Sequence, residues 1–222
     1  MSNERSNDLI PISSVPDINK GLSSPSLQTM IDALGRPREP LDVSCRNDQA
    51  SPVVKRLLET RRMTPKFRLT GIKPALDSVE GVLAKVKEAN PELIEQLSTV
   101  GMTCVRHKKP PHGPPSNEPS NHSWGTAIDF NLIGHSAPKN TRPNVPRWVA
   151  MMIPFFNEAG WFSGIAFDDA MHFEVATETI HQWQKDGLLP EVAPQDKVVV
   201  VAGGGNIFKP ISDFFGRLFG QS

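Results

Sequence analysis

Two short stretches constrain the fold of this chain more than any other part of its sequence. Residues 120–130 contain His122 and Asp129, and residues 168–174 contain His172. Two imidazoles and one carboxylate are a usual ligand set of a catalytic zinc site, in which a fourth position stays open for water. If these residues bind one metal ion, the fold must bring the two stretches together.

A second carboxylate near such a site has a separate use. A carboxylate that is not itself a ligand can take a proton from metal-bound water. Asp169 stands three residues before His172 and is the predicted base, with Asp168 as its nearest competitor. Glu174 follows His172 on the same predicted strand face, and we expect it to hold a ligand in place rather than to contact the metal.

The spacing of these residues is that of a known family. The chain contains the pattern His-x-x-Gly-x-Ala-x-Asp followed by Asp-x-x-His, at His122, Gly125, Ala127, Asp129, Asp169 and His172. The pattern resembles the D-alanyl-D-alanine carboxypeptidase/dipeptidase family of zinc metallopeptidases, which includes phage endolysins that cut the peptide stem of peptidoglycan. The resemblance covers roughly residues 67–183. It implies a Zn²⁺ cofactor held by His122, Asp129 and His172.

The resemblance also assigns roles to two further residues. Arg106 holds the place of an arginine that reaches the active site in this family, where a guanidinium can bind a substrate carboxylate or stabilise an oxyanion. Arg106 is therefore predicted to act in both catalysis and substrate binding. Ser120, which opens the first motif, is predicted to bind substrate with it.

Hydrophobic periodicity predicts an α+β fold, a small antiparallel sheet with helices packed around a zinc cleft. In the strand predicted at 127–132, Asp129 and Asn131 share one face and the apolar side chains face the core. A second strand, predicted at 101–106, would deliver Arg106 to the cleft. Helices are predicted from Ser24 as N-cap to residue 34, and over 74–90, 91–97, 148–159 and 177–187.

The chain divides into three predicted parts. Residues 1–23 are polar and are expected to form a flexible N-terminal segment. Residues 24–190 form the predicted zinc peptidase domain. Residues 191–222 form a C-terminal tail whose apolar residues between 211 and 219 have helical spacing, so this amphipathic helix could dock on a protein partner or on its own domain.

Composition limits the partners and the location. The 24 basic and 24 acidic residues cancel, so charge indicates neither nucleic acid nor an anionic membrane as a partner. The sequence shows neither a signal peptide nor the ~20 apolar residues of a membrane span. We therefore expect synthesis in the cytoplasm and, for a wall substrate, delivery by a holin or a dedicated secretion system. Cys45 and Cys104 could pair once, but two unpaired thiols are the favoured interpretation.

These observations predict a zinc-dependent peptidase that cuts peptidoglycan stem peptides or D-Ala-D-Ala-terminated precursors. The alternative is a catalytically silent, zinc-containing module that binds cell-wall peptide. A purely structural site has no use for a base, so Asp169 favours the enzyme. The sequence leaves open which bond is cleaved, and whether the enzyme is a carboxypeptidase or an endopeptidase.

Overall fold

The computed structural model describes residues 7–109, 113–114, 116–137 and 141–198. Helices and short antiparallel strands are mixed through these ranges, which confirms the predicted α+β class. The helices are α1 (Leu27–Leu34), α2 (Pro52–Leu57), α3 (Lys73–Ala89), α4 (Pro91–Gln96), α5 (Arg147–Glu158) and α6 (Thr177–Lys185). The strands are β1 (Leu9–Pro11), β2 (Leu58–Arg62), β3 (Arg68–Ile72), β4 (Leu97–Gly101), β5 (Ala127–Leu132), β6 (Asn144–Pro146), β7 (Trp161–Ser163) and β8 (His172–Val175).

The largest sheet brings the two motif stretches together. It is antiparallel with the strand order β4, β5, β8, β7, and Asp129 on β5 lies directly opposite His172 on β8. Side chains alternate between the two faces of a strand. Along β5 this alternation buries Ile128 and Phe130, whereas Asp129 is only half-buried. The strand therefore has the bounds and the faces that its sequence pattern predicts.

Aromatic residues close the apolar side of this sheet. Phe156 on α5 stacks on Phe173 of β8, with ring centroids 4.2 Å apart, and meets Phe130 of β5 edge-on at 5.6 Å. Trp161 on β7 lies edge-on to Phe156 at 5.8 Å. All four side chains are fully buried. Because apolar burial contributes about 25 cal/mol per Å², this cluster gives the site strands a firm support.

The described N-terminal residues, from residue 7 on, are attached to the domain. Strand β1 pairs with β6, while β2 and β3 form a separate hairpin. Asn19 lies beside β7, where its Nδ2 donates to the carbonyl of Ser163 at 2.9 Å and its Oδ1 accepts from the Ser163 amide at 2.7 Å. The sequence predicted little regular structure here, but extended residues 9–11 form a strand because their backbone groups pair with β6.

The prediction of a strand at residues 101–106 is wrong. The chain forms β4 earlier, and the pairing of β4 with β5 shifts register between Thr99 and Gly101. Gly101 has a φ of 134°, a conformation that favours glycine, and the chain leaves the sheet there. The following residues are held outside the sheet, where the Val105 amide donates to Asn47 Oδ1 at 3.1 Å. Arg106 therefore reaches the cleft from an irregular segment.

The expectation of unpaired thiols is also wrong, because Cys45 and Cys104 form a disulfide. Their Cα atoms are 4.9 Å apart, although the two residues are 59 positions apart in the sequence. The backbone explains the approach, since the Arg46 amide donates to the Val105 carbonyl at 2.8 Å. The disulfide fixes the segment that leads to Arg106 onto the segment before α2.

Helix α1 has a different N-cap from the predicted one. Ser26, not Ser24, caps the helix, because its Oγ accepts from the Thr29 amide at 3.0 Å. The helix ends as predicted at Gly35, whose φ is 74°. Ser24 lies before the cap and has another partner, described with the site.

The amphipathic helix predicted between residues 211 and 219 lies outside the described residues. Among the helices that the structure describes, none has both the length and the apolar character needed to cross a bilayer.

Candidate metal centre

Three residues converge on one side of the main sheet. His122 comes from the 3₁₀ turn Asn121–Trp124, Asp129 from β5 and His172 from β8. Asp129 Oδ1 lies 3.3 Å from His122 Nε2 and 2.9 Å from His172 Nδ1. One ligand atom from each residue lies within 4.8 Å of the others. The group is therefore a compact cluster of two nitrogens and one oxygen, and both of its histidines are buried.

The hydrogen bonds of the two histidines decide which nitrogen faces the cluster. His122 Nδ1 lies 2.8 Å from the carbonyl of Met102. A carbonyl can only accept, so Nδ1 carries the proton and Nε2 can supply a lone pair. His172 Nε2 lies 2.9 Å from Glu174 Oε2, which leaves Nδ1 as the ligand atom. Partners of this kind orient metal-binding imidazoles, so the donor set fits a bound zinc ion.

Charge in the cluster supports the same conclusion. Burial raises the pKa of Asp129, but the electrostatic and hydrogen-bond interactions with His122 and His172 outweigh it, so the pKa lies below its ordinary value. Burial lowers the pKa of His172, but hydrogen bonds to Asp129 and Glu174 outweigh it, so the pKa lies well above its ordinary value. Without a metal, these interactions favour a proton on His172, and a metal ion bound at Nδ1 would have to displace that proton.

Zinc affinity should consequently fall as the pH falls. The raised pKa keeps a proton on His172 up to a higher pH than for a free imidazole. Zinc needs the lone pair at Nδ1, so lowering the pH strengthens the competition from protons and binding releases protons. Competition titrations with a chromophoric chelator at pH 6, 7 and 8, values chosen around the ordinary pKa of ~6.5, would measure this. An affinity that does not change with pH would contradict the assignment of His172 as a ligand.

A cleft of about 280 Å³ opens beside the cluster. Its lining includes the metal-ligand candidates, Glu174, and the three other residues that the sequence assigned to the site, Arg106, Ser120 and Asp169. The structure thus brings all the predicted site residues to one cavity. Phe167 also lines it, with 41% of its surface exposed and its ring 5.7 Å from that of His172.

Arg106 and Ser120 are fixed to each other through the backbone. The Ser120 amide donates to the Arg106 carbonyl at 2.9 Å, and Arg106 Nη1 donates to the carbonyl of His107 at 2.9 Å. Burial lowers the pKa of Arg106 below its ordinary value, although the negative charges of Asp129 and Asp169 act in the opposite direction. A guanidinium keeps its charge in proteins, so Arg106 places a permanent positive charge in the cleft.

The structure distinguishes the two candidate bases. Asp169 lines the cleft, and its backbone amide donates a hydrogen bond to the Gly164 carbonyl at 3.0 Å. Asp168 has a left-handed φ of 67°, and its Oδ1 accepts from the Arg142 amide at 3.3 Å. This geometry favours Asp169 as the residue that faces a substrate.

Gly125 holds the turn between His122 and β5. Its φ is 64°, and a Cβ there would lie 3.0 Å from the Ile72 amide nitrogen. Gly125→Ala should therefore lower the free energy of unfolding by about 3 kcal/mol, the sum of backbone strain and crowding. Gly134 is a matched control, because its φ is 76° but a Cβ there would meet nothing within 4 Å.

For Gly134→Ala, backbone strain alone predicts that the free energy of unfolding falls by about 1 kcal/mol. Urea denaturation of the metal-free variants would compare the two glycines. Equal losses would show that Gly125 is needed only for its φ angle and not for its close contact with β3.

The sequence assigned Glu174 the role of holding a ligand, and Glu174 bonds to His172, but the other groups that hold the ligands were missed. The Met102 carbonyl is a backbone acceptor, which any residue could supply, so no side-chain pattern marks it. Asn121 stands beside His122, and its Nδ2 donates to Glu174 Oε2 at 2.7 Å. Ser24 is 150 positions from Glu174, and its Oγ donates to Glu174 Oε1 at 2.5 Å. Ser26 can also cap α1. Assigning the cap to Ser26 leaves the Ser24 hydroxyl available for another partner, which is the signal in the sequence for its role.

The cluster could bind a metal ion through two nitrogens and one oxygen, and the cleft beside it contains a carboxylate, Asp169, and a guanidinium, Arg106. Residues 115–175 match the model of a peptidase family described as D-alanyl-D-alanine carboxypeptidase. This segment contains both motif stretches, so the resemblance drawn from the sequence is confirmed over residues 115–175, a range that does not include Arg106. Comparison with curated proteins gave no match, and comparison with solved structures gave none.

Proposed function

We propose that the protein is a zinc-dependent peptidase that hydrolyses a peptide bond in peptidoglycan stem peptides or in D-Ala-D-Ala-terminated precursors. One observation carries this proposal. His122, Asp129 and His172 turn their ligand atoms toward one another at a cleft that also contains Asp169 and Arg106. The family match over both motifs supports a peptidase acting on substrates related to peptidoglycan.

The cofactor would be held by the three clustered residues. His122 would bind through Nε2 and His172 through Nδ1, because their other nitrogens bond to Met102 and Glu174. Asp129 would bind through its carboxylate. When bound, zinc lowers the pKa of coordinated water from about 15.7 toward ~7 and polarises the carbonyl of the substrate.

The remaining chemistry falls to two residues of the cleft. Asp169 would accept the proton of the attacking water and then pass it to the departing amine, as a general base and acid. Arg106 would bind the substrate carboxylate or the oxyanion of the tetrahedral intermediate. The sequence contains no tyrosine, so a phenol cannot take this second role.

Metal content and hydrolysis measured together would test the proposal. The purified protein would be assayed for zinc and incubated with purified peptidoglycan and with peptides that end in D-Ala-D-Ala. We expect near-stoichiometric zinc and new peptide termini, and mass spectrometry of the products would identify the bond. Zinc without turnover on either substrate would support the silent binding module instead. A wild-type protein that takes up no zinc on titration would refute the site itself.

A further inference from the structure

The carboxylate of Glu174 is the meeting point of three side chains. It is buried, with 3% of the residue exposed. Its Oε2 accepts from His172 Nε2 at 2.9 Å and from Asn121 Nδ2 at 2.7 Å. Its Oε1 accepts from Ser24 Oγ at 2.5 Å. Both oxygens are therefore engaged, and the carboxylate cannot rotate without breaking a hydrogen bond.

We propose that Ser24 and Asn121 are positioning residues of the metal centre, which act through Glu174 on the ring of His172. The proposal rests on the proposed function, because it assumes that His172 binds zinc. A metal-bound imidazole has one N–H to donate, and that of His172 is directed at Glu174 Oε2. Ser24 and Asn121 bond to the same carboxylate, so they fix its orientation and, through it, the orientation of the His172 ring.

The segment that carries Ser24 is itself firmly placed. The neighbouring Ser23 amide donates to Glu178 Oε2 at 2.9 Å, and the Ser23 carbonyl accepts from the Thr177 amide at 2.9 Å. Together with the bonds of Asn19 to β7, these contacts fix the segment to β7 and to the first turn of α6. A part of the chain far from the motifs thus completes the support of a ligand that they contain.

The chain offers a matched control two residues away. Ser26 is also a serine before α1, but its Oγ caps the helix at the Thr29 amide. Ser24→Ala and Asn121→Ala should each weaken zinc binding by about tenfold, the lower end of the range for partners of metal ligands. Ser26→Ala should lower the melting temperature and leave zinc affinity unchanged, because it weakens only a helix cap.

The test is a set of zinc affinities with a spectroscopic readout. Chelator competition would give the affinity of each variant, and the visible absorption of the cobalt-substituted proteins would report the ligand field, which a purely structural role would not change. A tenfold loss and an altered cobalt spectrum in both variants, but not in Ser26→Ala, would support the proposal. Wild-type affinity and spectrum in Ser24→Ala and Asn121→Ala would overturn it.

A further variant separates hydrogen bonding from packing and from misfolding. Ser24→Thr keeps the hydroxyl and should retain wild-type affinity. A loss of zinc affinity as large as that of Ser24→Ala would show that the hydroxyl does not account for the effect, and it would also overturn the proposal. The proposed function fails separately, when the wild type binds no zinc or hydrolyses no substrate.

Discussion

Replacing Asp169 by asparagine should lower kcat by about 10²–10⁴-fold, the usual contribution of a general base, and leave the zinc content unchanged. Asparagine has nearly the shape of aspartate but cannot accept the water proton. Asp169 lines the cleft, whereas the metal-ligand candidates are His122, Asp129 and His172. Hydrolysis rates and zinc per chain should therefore respond differently to the substitution.

Asp168→Asn is the matched control for this experiment. It makes the same chemical change one residue away, and asparagine tolerates the left-handed φ of 67° at this position. We expect it to keep most of the activity, because the Asp168 side chain bonds to the Arg142 amide. Full activity in Asp169→Asn, or an equal loss in both variants, would contradict the assignment of Asp169 as the base.

The second large effect concerns the metal. His122→Ala should remove zinc from the protein, because two remaining ligands hold the ion much less tightly than three. Zinc per chain, measured by elemental analysis after dialysis, should be near one for the wild type and near zero for the variant. Activity should disappear with the metal.

His135→Ala provides the comparison for His122→Ala. His135 follows β5 and is exposed, so its removal should change neither zinc content nor hydrolysis. Far-UV circular dichroism of both variants would show that the fold is intact. Stoichiometric zinc in His122→Ala would exclude this residue as a ligand and would require a different cluster.

Part of the site could be predicted because it depends on local pattern. Alternation along β5 placed Asp129 on the polar face, and the spacing of the second motif placed His172 and Glu174 on one face of β8. The direct pairing of Asp129 with His172 is a consequence of strand register. Such patterns depend on residues that are close together in the sequence, so they can be identified from a single sequence.

The remaining features depend on contacts between distant residues. The segment of residues 102–106 alternates like a strand, but Gly101 takes it out of the sheet and the disulfide holds it elsewhere. Ser24 has the appearance of a helix cap in the sequence, although in the fold it bonds to Glu174. Propensity could not distinguish these outcomes, because tertiary contacts decide them.

The bond between Cys45 and Cys104 has a practical consequence for work with this protein. Disulfides persist in oxidising surroundings and are rare where cellular thiol reductants act. Protein prepared with a reducing agent and protein prepared without one are therefore two chemical species. Only the oxidised species has the covalent link that holds the segment before Arg106 to the segment before α2. The reduced species keeps only noncovalent bonds there, such as the one from the Arg46 amide to the Val105 carbonyl. Kinetic comparisons between variants are valid only when their thiol content has been titrated and matched.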